Sequence, residues 1–471
     1  MSFIPNTDAD RTRMLEAIGV AGIDELFADV PAGFRYPRLD LPSPVSEMEA
    51  LGELEELARR DLDCTRAPCF LGAGAYHHFI PSIVDFVVSR SEFSTAYTPY
   101  QPEISQGTLQ AIFEYQTMIA RLTGMEVSNA SHYDGATATA EAVLMSVNVA
   151  QRARTRVVLS PSVHPQYREV VRTYTQGMGL DIRGDEPAGA GLEGGAAAGA
   201  AAGVRAGVAA GAERLAAACD GATACVVVQS PDFFGRIVAP DAMRALADRI
   251  HSCGALLVVA ANPVSLGLLV PPGELGADIV VGDGQPLGNS LSFGGPTLGF
   301  FAFRREHIRK SSGRISGETT DREGRRGYVF TLSTREQHIR REKATSNICT
   351  NQSLNALAAA VHLAALGPRG LRSVAELCWQ KAHDAADRIA RLPGWSLAFP
   401  RDPFFNEFAV RCPRPVGEIN RSLKDRGIIG GYDLGGDYPQ LEGCMLLCCT
   451  ETNTKAEIDR LVEALKEASH A

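Results

Sequence analysis

The chain has 471 residues, of which 45% are hydrophobic and 21% are charged, and its formal net charge is −9 at pH 7. This length supports one large hydrophobic core and a smaller domain, and the acidic balance argues against a nucleic-acid partner, which would need a basic surface. The longest apolar stretch, residues 255–270, contains Asn, Pro, Ser and Gly and is too short to span a bilayer, so we expect no membrane partner.

The eleven cysteines are odd in number and include the adjacent pair Cys448–Cys449, which does not resemble a disulfide framework. The N-terminus lacks the basic and apolar segments of a secretory signal, so we expect a cytoplasmic protein. Cys444 and Cys448 lie in an apolar stretch, and the adjacent side chains of His77 and His78 diverge on regular structure. We therefore expect buried thiols and no metal site.

Residues 1–65 are predicted to form a helical N-terminal arm. A capped amphipathic helix is expected after Asn6-Thr7-Asp8. Apolar residues recur at helical spacing through this segment, at Leu15, Ile18, Leu26, Met48, Leu51, Leu54 and Leu57. An arm of this kind usually clasps a partner chain.

The segment Tyr97-Thr-Pro-Tyr100-Gln101-Pro-Glu103 is too polar to be core filler. It cannot continue a helix, because each proline lacks a backbone donor and biases the preceding residue toward extended conformations. It is predicted to be an ordered, presented loop. A helix is predicted from Ser105 to Gly124, with apolar residues near helical spacing at Leu109, Ile112, Phe113, Met118, Ile119 and Leu122.

A second polar segment, Ser131 to Glu141, places small residues where another helix begins. The free N–H groups at such a start lie at the positive end of the helix dipole and suit a phosphate or a carboxylate. Alternatively, Asp134 caps its own helix, as Asp commonly does, and its carboxylate would repel a ligand phosphate. The sequence leaves both interpretations open.

Residues 66–305 alternate short apolar strands with helical patterns, which indicates a parallel sheet with crossover helices. The predicted strands are Arg156–Ser160, Ala224–Gln229, Leu256–Ala260 and Asp278–Val281. Functional loops in such a domain follow the carboxyl ends of the strands, as the segment from Ser162 to Pro165 does. The Ala- and Gly-rich residues 187–218 are interpreted as a surface insertion.

A connector, residues 306–340, is predicted to lead into a smaller C-terminal domain, residues 341–471. A long helix is expected to begin within Glu336–Lys343. A strand over Cys444–Cys448 and a helix over Lys455–Ala468 are predicted to close the chain.

Further motifs occur in order along most of the chain. They are Phe70-Leu-Gly-Ala-Gly-Ala-Tyr76, Val228-Gln-Ser-Pro-Asp-Phe-Phe-Gly235, Gly294-Gly-Pro-Thr-Leu-Gly299 and Thr334-Arg-Glu-Gln-His-Ile-Arg-Arg-Glu-Lys-Ala-Thr-Ser-Asn347. Together with the two polar segments, they resemble the alpha subunit, or N-terminal half, of the glycine-cleavage P-protein, the decarboxylating glycine dehydrogenase. The resemblance implies the α/β fold of fold-type-I enzymes that use pyridoxal phosphate, with a large, mostly parallel α/β domain and a smaller C-terminal α+β domain.

The residues that the resemblance associates with the cofactor are missing from this chain. Pyridoxal phosphate is held by a lysine, but the first lysine here is Lys310, and Gln285 and Pro286 occupy the expected His-Lys positions. Only six of the 46 basic residues are lysines, so a general replacement of lysine by arginine could explain the scarcity. Such a replacement would still spare a lysine that the chemistry requires, because arginine cannot serve as the amine. Ala261 and Asn262 stand near where the fold family places an Asp against the pyridine nitrogen. We expect no cofactor bound covalently to this chain.

The resemblance implies that the chain is the non-cofactor subunit of an α2β2 glycine decarboxylase, an oxidoreductase of the glycine cleavage system. The beta subunit would supply lysine and pyridoxal 5'-phosphate, and the aminomethyl group left by glycine would pass to the lipoyl group of H-protein. Tyr97, Tyr100, Gln101 and Glu103 would orient glycine or the lipoyl arm across the subunit interface. Alternatively, these four residues only pack the interface. His164 lies where a cofactor-stacking His occurs in the catalytic subunits, and here it is equally consistent with a structural loop residue.

Two other classes of function stay open at this point. An autonomous pyridoxal-phosphate enzyme would have to use Lys343, which lies in a charged helical run beyond the large domain. A purely structural subunit would stabilise its partner and dock H-protein without contributing a side chain to the chemistry. Variants of Tyr100 and Glu103 that assemble normally distinguish this scaffold from a subunit that takes part in catalysis.

Overall fold

The structure is a computed structural model, and it describes residues 6–184, 208–350 and 352–469. The chain divides into two compact units, Met1–Leu62 and Asp63–Ala471. Of the interpreted insertion, residues 187–207 lie outside the described residues, and Val208–Ala218 form a helix. The domain boundaries derived from the sequence stay predictions.

From residue 6 onward, the first unit contains two α-helices, α1 (Asp8–Ile18) and α2 (Glu47–Ala58). Thr7 caps α1 in a capping box with Asp10, as the sequence predicts, and Ser46 caps α2 in the same way with Glu49. The apolar residues Met48, Leu51, Leu54 and Leu57 of α2 are all exposed. Within its own unit, α2 therefore leaves an apolar stripe uncovered.

The second unit contains eleven helices among its described residues. They are α3 (Ser82–Val88), α4 (Ser91–Ser94), α5 (Gln106–Thr123), α6 (Gly135–Val149), α7 (Pro165–Thr175), α8 (Val208–Ala218), α9 (Pro240–Ser252), α10 (Gln337–Arg340), α11 (Ser353–Ile389), α12 (Val416–Asp425) and α13 (Lys455–Ala468). None of the helices in the described part of the chain has the length and apolar character that a membrane span needs.

The main sheet of this unit has seven strands in the order β1-β7-β6-β5-β4-β2-β3. The strands are β1 (Val127–Ser128), β2 (Arg156–Leu159), β3 (Asp181–Arg183), β4 (Thr223–Gln229), β5 (Leu256–Ala260), β6 (Ile279–Asp283) and β7 (Gly299–Phe303). Strands β2 to β6 are parallel, while β7 pairs antiparallel with both β6 and β1. The structure confirms the mostly parallel sheet, and its carboxyl edge collects the loops that follow β2, β4, β5 and β6.

A two-stranded hairpin, β8 (Ile315–Thr320) with β9 (Arg326–Thr331), packs against α5. The side-chain amide of Gln116 in α5 accepts from Ser316 N at 2.9 Å and donates to Ser316 O at 3.0 Å. The rings of Phe113 and Tyr328 add an apolar contact at 5.4 Å. The predicted connector, residues 306–340, therefore contains a hairpin that packs against α5.

A second sheet forms near the C-terminus from four antiparallel strands in the order β10-β11-β13-β12. These strands are β10 (Ser396–Leu397), β11 (Glu407–Arg411), β12 (Tyr432–Asp433) and β13 (Cys444–Cys448). One apolar cluster joins this sheet to α12, α13 and the C-terminal part of α11. The predicted strand at Cys444–Cys448 and the predicted helix at Lys455–Ala468 are confirmed.

The prediction that a long helix begins within Glu336–Lys343 is wrong. Only the four residues of α10 are α-helical there, and the long helix α11 begins at Ser353. The single large apolar residue of α10, Ile339, is 48% exposed, so this segment has no apolar face to pack and cannot sustain a longer helix. At Gly367, α11 changes direction, because φ 61° and ψ 179° at this residue lie outside the helical range.

Candidate functional site

The four candidate site residues lie on one exposed loop between α4 and α5. Tyr97 is 77% exposed and Tyr100 is 57% exposed. Gln101 and Glu103 are exposed as well; Gln101 precedes the short turn Pro102–Ile104, and Glu103 lies within it. The helix that follows ends at Gly124, as the sequence predicts. The structure therefore confirms the presented loop, and the roles of its four side chains stay predictions.

Tyr100 is held by an arginine that sequence reasoning missed. Arg314 Nη2 donates to Tyr100 Oη at 3.0 Å, and the guanidinium carbon lies 5.3 Å from the centre of the Tyr100 ring. Arg314 Nη1 lies 3.4 Å from Thr98 Oγ1 in the same loop. The sequence carries no local signal for this contact, because more than 200 residues separate the partners.

The start of α6 satisfies its backbone donors with carboxylates of the chain itself. Asp134 caps the helix by accepting from Thr137 N at 2.7 Å, which confirms the self-capping interpretation. Gly135 N donates to Asp283 Oδ2 at 3.1 Å. A side chain at position 135 would overlap the hydroxyl of Tyr167, so only glycine fits there. The helix N-terminus is therefore closed by two carboxylates and a phenol.

Asp283 at the end of β6 is a buried carboxyl that ties three segments together. Its Oδ1 accepts from Gln285 N at 2.8 Å, and its Oδ2 accepts from Thr297 Oγ1 at 3.2 Å as well as from Gly135 N. Burial raises the pKa of this carboxyl to about 6, although the three donors and the N-terminus of α6 favour its charged form. At neutral pH the group is therefore largely an anion at the start of α6.

Gln285 fills the position where the resemblance expects a residue of the His-Lys pair. Its Oε1 accepts from Tyr76 N at 3.0 Å, and its Nε2 donates to Tyr76 O at 3.0 Å and to Asn289 O at 2.8 Å. The side-chain amide is buried and both of its ends are engaged. Gln285 therefore fixes the Gly-rich segment that ends at Tyr76.

His164 packs against a side chain of its own chain. Its ring stacks on Tyr167 with centroids 5.0 Å apart and planes at 28°. Nδ1 accepts from Gln166 N at 3.2 Å, so Nε2 carries the proton and donates to Ala73 O at 2.9 Å. Burial lowers the pKa of this imidazole. These contacts favour the structural interpretation of His164.

The candidate aspartate position is also used structurally. Ala261 is buried, and Asn262 Oδ1 accepts from Val264 N at 3.0 Å. Asn262 therefore closes a turn on its own backbone, in the manner of an Asx turn.

The family model described as "Glycine cleavage system P-protein" matches residues 1–465 of the chain. The chain belongs to the glycine cleavage system P-protein family. Its relatives in this family include the "Probable glycine dehydrogenase (decarboxylating) subunit 1" of Thermomicrobium roseum, which is 54% identical with full coverage of both chains. The protein of the same name from Geobacillus kaustophilus is 52% identical, with 98% of each chain covered. The chain is therefore an enzyme subunit, and the name of its relatives implies a partner subunit.

Solved structures give the same family and fold. The crystal structure of a glycine decarboxylase (P-protein) of the glycine cleavage system, in inhibitor-bound form, superposes with a TM-score of 0.85 at 41% identity, covering 99% of this chain and 100% of that one. A sphingosine-1-phosphate lyase from Burkholderia pseudomallei has a TM-score of 0.61 at 16% identity, covering 94% and 95% of the two chains. At this identity the likeness to the lyase shows the fold alone. The fold of this P-protein chain is that of the fold-type-I pyridoxal-phosphate enzymes.

The residues of this P-protein chain do not fit pyridoxal phosphate, the cofactor that the fold implies. The positions where the resemblance expects the His-Lys pair hold Gln285 and Pro286, and neither side chain carries an amine. The helix N-terminus that suits a phosphate instead faces the carboxylates of Asp134 and Asp283, which repel an anion. The ring of His164 is covered by Tyr167.

One cluster contains residue types that bind metals. His78, Cys378 and Glu451 place one potential ligand atom each within 4.8 Å of one another. His78 Nδ1 lies 2.7 Å from Glu451 Oε2, which is shorter than the separation of about 3.3 Å between two ligands on one tetrahedral zinc ion. Cys378 Sγ and Phe79 N also donate to this carboxylate. The contacts are those of a hydrogen-bonded cluster, and the expected absence of a metal stays a prediction.

Proposed function

We propose that this chain is the cofactor-free subunit of an α2β2 glycine decarboxylase. The beta subunit supplies the lysine that binds pyridoxal phosphate, and the assembly transfers the aminomethyl group of glycine to the lipoyl group of H-protein. The observation that carries this proposal is that Gln285 and Pro286 stand where the resemblance expects the His-Lys pair, while Asp134 and Asp283 occupy the N-terminus of α6. With the eleven free thiols, we also expect the assembly to work in the cytoplasm.

In this proposal the cofactor provides the electron sink for decarboxylation, and this chain contributes the loop from Tyr97 to Gln106. Tyr100 Oη accepts a hydrogen bond from Arg314, so its own proton is free to be donated outward. Gln101 offers both a donor and an acceptor, and Glu103 offers a carboxylate. These exposed groups are suited to orient the amino and carboxylate groups of glycine, or the lipoyl arm.

The alternative of an autonomous enzyme is disfavoured by the position of Lys343. This lysine is exposed on the turn Arg341–Lys343. A lysine that binds a cofactor must be positioned within a pocket that holds it. Lys343 is exposed to solvent and does not lie in such a pocket.

A cofactor titration tests the division of labour. The purified chain is mixed with pyridoxal phosphate, alone and together with its beta partner and H-protein, and treated with borohydride to trap covalent adducts for mass spectrometry. We expect no adduct on this chain, an adduct on the beta chain, and exchange of CO2 with the glycine carboxyl group only in the full mixture. A trapped adduct on this chain alone would overturn the proposal.

The loop variants Tyr100→Phe and Glu103→Gln test whether the chain takes part in the chemistry. Tyr100→Phe removes a hydroxyl group and Glu103→Gln removes a charge, and both leave the shape of the side chain nearly unchanged. We expect both to assemble normally and to lower the decarboxylation rate about 10- to 100-fold, the range for one misplaced polar contact. Tyr174→Phe, on α7, is the matched control and should retain full activity. Full activity of both loop variants would instead establish the scaffold alternative.

A further inference from the structure

We infer that Arg314 is the positioning residue that sets the orientation of Tyr100 and of the loop Tyr97–Gln106. The inference rests on the proposed contribution of this loop to the shared active site. Arg314 is separate from the loop in sequence and lies immediately before β8. It acts through Tyr100 and Thr98 and need not touch the substrate itself.

The guanidinium is fixed on the side away from the loop. Arg314 Nη1 donates to Thr350 O at 2.9 Å, and Arg314 Nε lies 3.7 Å from Glu336 Oε2. The side chains of Arg314 and Glu336 are each only 14% exposed, so water screens this pair weakly. The backbone of the same residue is also bonded, with Arg314 N donating to Thr350 Oγ1 at 2.9 Å and Arg314 O accepting from Ala130 N at 2.8 Å. These contacts therefore fix the position of Arg314 and leave its Nη2 group available as a donor.

That donor is directed at Tyr100 in the exposed loop. Nη2 donates to Tyr100 Oη, and the guanidinium also faces the ring, so both the hydroxyl and the plane of Tyr100 are constrained. The ring of His338 contacts Tyr100 from another direction at 6.0 Å. Of the four candidate residues, Tyr100 is the one with these contacts in the described structure.

The other end of the loop has a second attachment to the same hairpin. Gln106 Nε2 donates to Tyr328 O and Gln106 Oε1 accepts from Tyr328 N, both at 2.8 Å. Gln106 Nε2 also donates to Pro102 O at 2.7 Å. The loop is thus held at Tyr100 by the residue before β8 and at Gln106 by β9, while Gln101 and Glu103 between these points remain exposed.

A lysine cannot reproduce this arrangement. Its single ammonium keeps the charge, but it lacks the planar fork that reaches Tyr100 and Thr350 at once. Arg314→Lys should therefore keep the positive charge at position 314 but no longer hold Tyr100 in one orientation. A shift of about 1 Å in a positioning group costs up to about 100-fold in rate.

The test compares Arg314→Lys, Tyr100→Phe and the double variant in the assembly with the beta partner and H-protein. We expect Arg314→Lys to lower kcat 10- to 100-fold with unchanged subunit assembly. In the Tyr100→Phe background, the same change should lower kcat less than threefold further, because the hydroxyl that Arg314 holds is already gone. Arg322→Lys, an exposed arginine in the hairpin turn, is the matched control and should be fully active.

The possible failures are distinguishable. If Tyr100→Phe and Glu103→Gln lower activity but Arg314→Lys does not, or if the losses from Arg314→Lys and Tyr100→Phe multiply, the positioning role of Arg314 is overturned and the proposed function survives. If all the loop and arginine variants are fully active, the contribution of the loop is overturned as well. Glu336→Gln is a control for the possibility that Arg314→Lys loses activity through a folding defect. It leaves Arg314 intact and removes the charge that holds it, so it should show a smaller loss of kcat in the same direction.

Discussion

Glu407 is a buried carboxyl whose two oxygens bind the Gly-rich segment to the second sheet. Oε1 accepts from Ala73 N at 2.7 Å and Oε2 accepts from Tyr76 Oη at 2.8 Å. Burial raises the pKa of this carboxyl to about 7, in spite of the two hydrogen bonds that favour its charged form. Between the ordinary carboxyl value and about pH 7, the folded chain binds this proton more tightly than the unfolded chain does. The free energy of unfolding therefore falls as the pH rises through this window.

The substitution Glu407→Gln should remove this part of the pH dependence. Gln imitates the neutral carboxyl, so the variant should match the parent near pH 4 and exceed its free energy of unfolding at pH 8 by up to about 3 kcal/mol. Denaturant unfolding followed by circular dichroism at the two pH values measures the difference. The exposed Glu442→Gln is the control and should change stability by less than about 0.5 kcal/mol at either pH. A variant less stable than the parent at pH 8 would contradict the argument.

Single residues of the site were predictable only where their partners are close in sequence. Asp134 caps a helix that begins at the next residue, so its role follows from local chemistry. Gln285, Arg314 and Glu407 bind partners more than 200 residues away, and no pattern within one segment identifies them. The sequence showed the missing lysine and the residues at its expected position, Gln285 and Pro286, but not the contacts that Gln285 makes with Tyr76.

At the scale of elements, the hairpin β8–β9 depends on α5. Ser316 is buried, and its N–H and C=O both bond to the side chain of Gln116 rather than to water. Ser316 Oγ also donates to Leu109 O at 2.9 Å. A polar helix side chain thus replaces a neighbouring strand along this edge of the hairpin.

Gln116→Leu should therefore detach the hairpin. Leucine fits the space, but it leaves two buried backbone groups unpaired at a cost of about 2–5 kcal/mol. We expect a loss of this size in the free energy of unfolding, together with faster hydrogen exchange in β8. Gln110→Leu on the same helix, where the amide bonds only to Glu114, should cost less than about 0.5 kcal/mol. Unchanged exchange in β8 would show that the hairpin is held by other contacts.

Elements with strong periodicity were predicted well, and those that depend on tertiary contacts were not. The helix from Gln106 and the central parallel strands agree with the sequence pattern to within one or two residues. The hairpin was missed because its strands are rich in Gly, Ser, Thr and Arg and gain their stability from α5. The short α10 was overestimated because charged residues with good helix propensity do not supply an apolar face.

At the scale of the whole molecule, the family and fold follow from motifs that are spread in order along the chain. Tyr76, at the end of one of these motifs, forms one hydrogen-bonded group with Gln285 and Glu407 from two distant segments. Asp232, in another motif, forms a buried pair with Arg236 at 2.7 Å, and Arg236 also pairs with Asp402 at 3.3 Å. Removing Arg236 would leave the carboxyl group of Asp232 buried without its charge partner.

The contacts of Gln285 and the two carboxylates at the start of α6 also determine how readily this chain could acquire a cofactor site. A lysine that replaces Gln285 would remove the amide group that binds Tyr76, and the carboxylates of Asp134 and Asp283 would still occupy the N-terminus of α6. Restoring a cofactor site therefore needs more than one substitution. Each of these substitutions would remove packing or hydrogen bonds that the present fold uses. The proposed specialisation of this chain is therefore maintained by several contacts at once and not by the missing lysine alone.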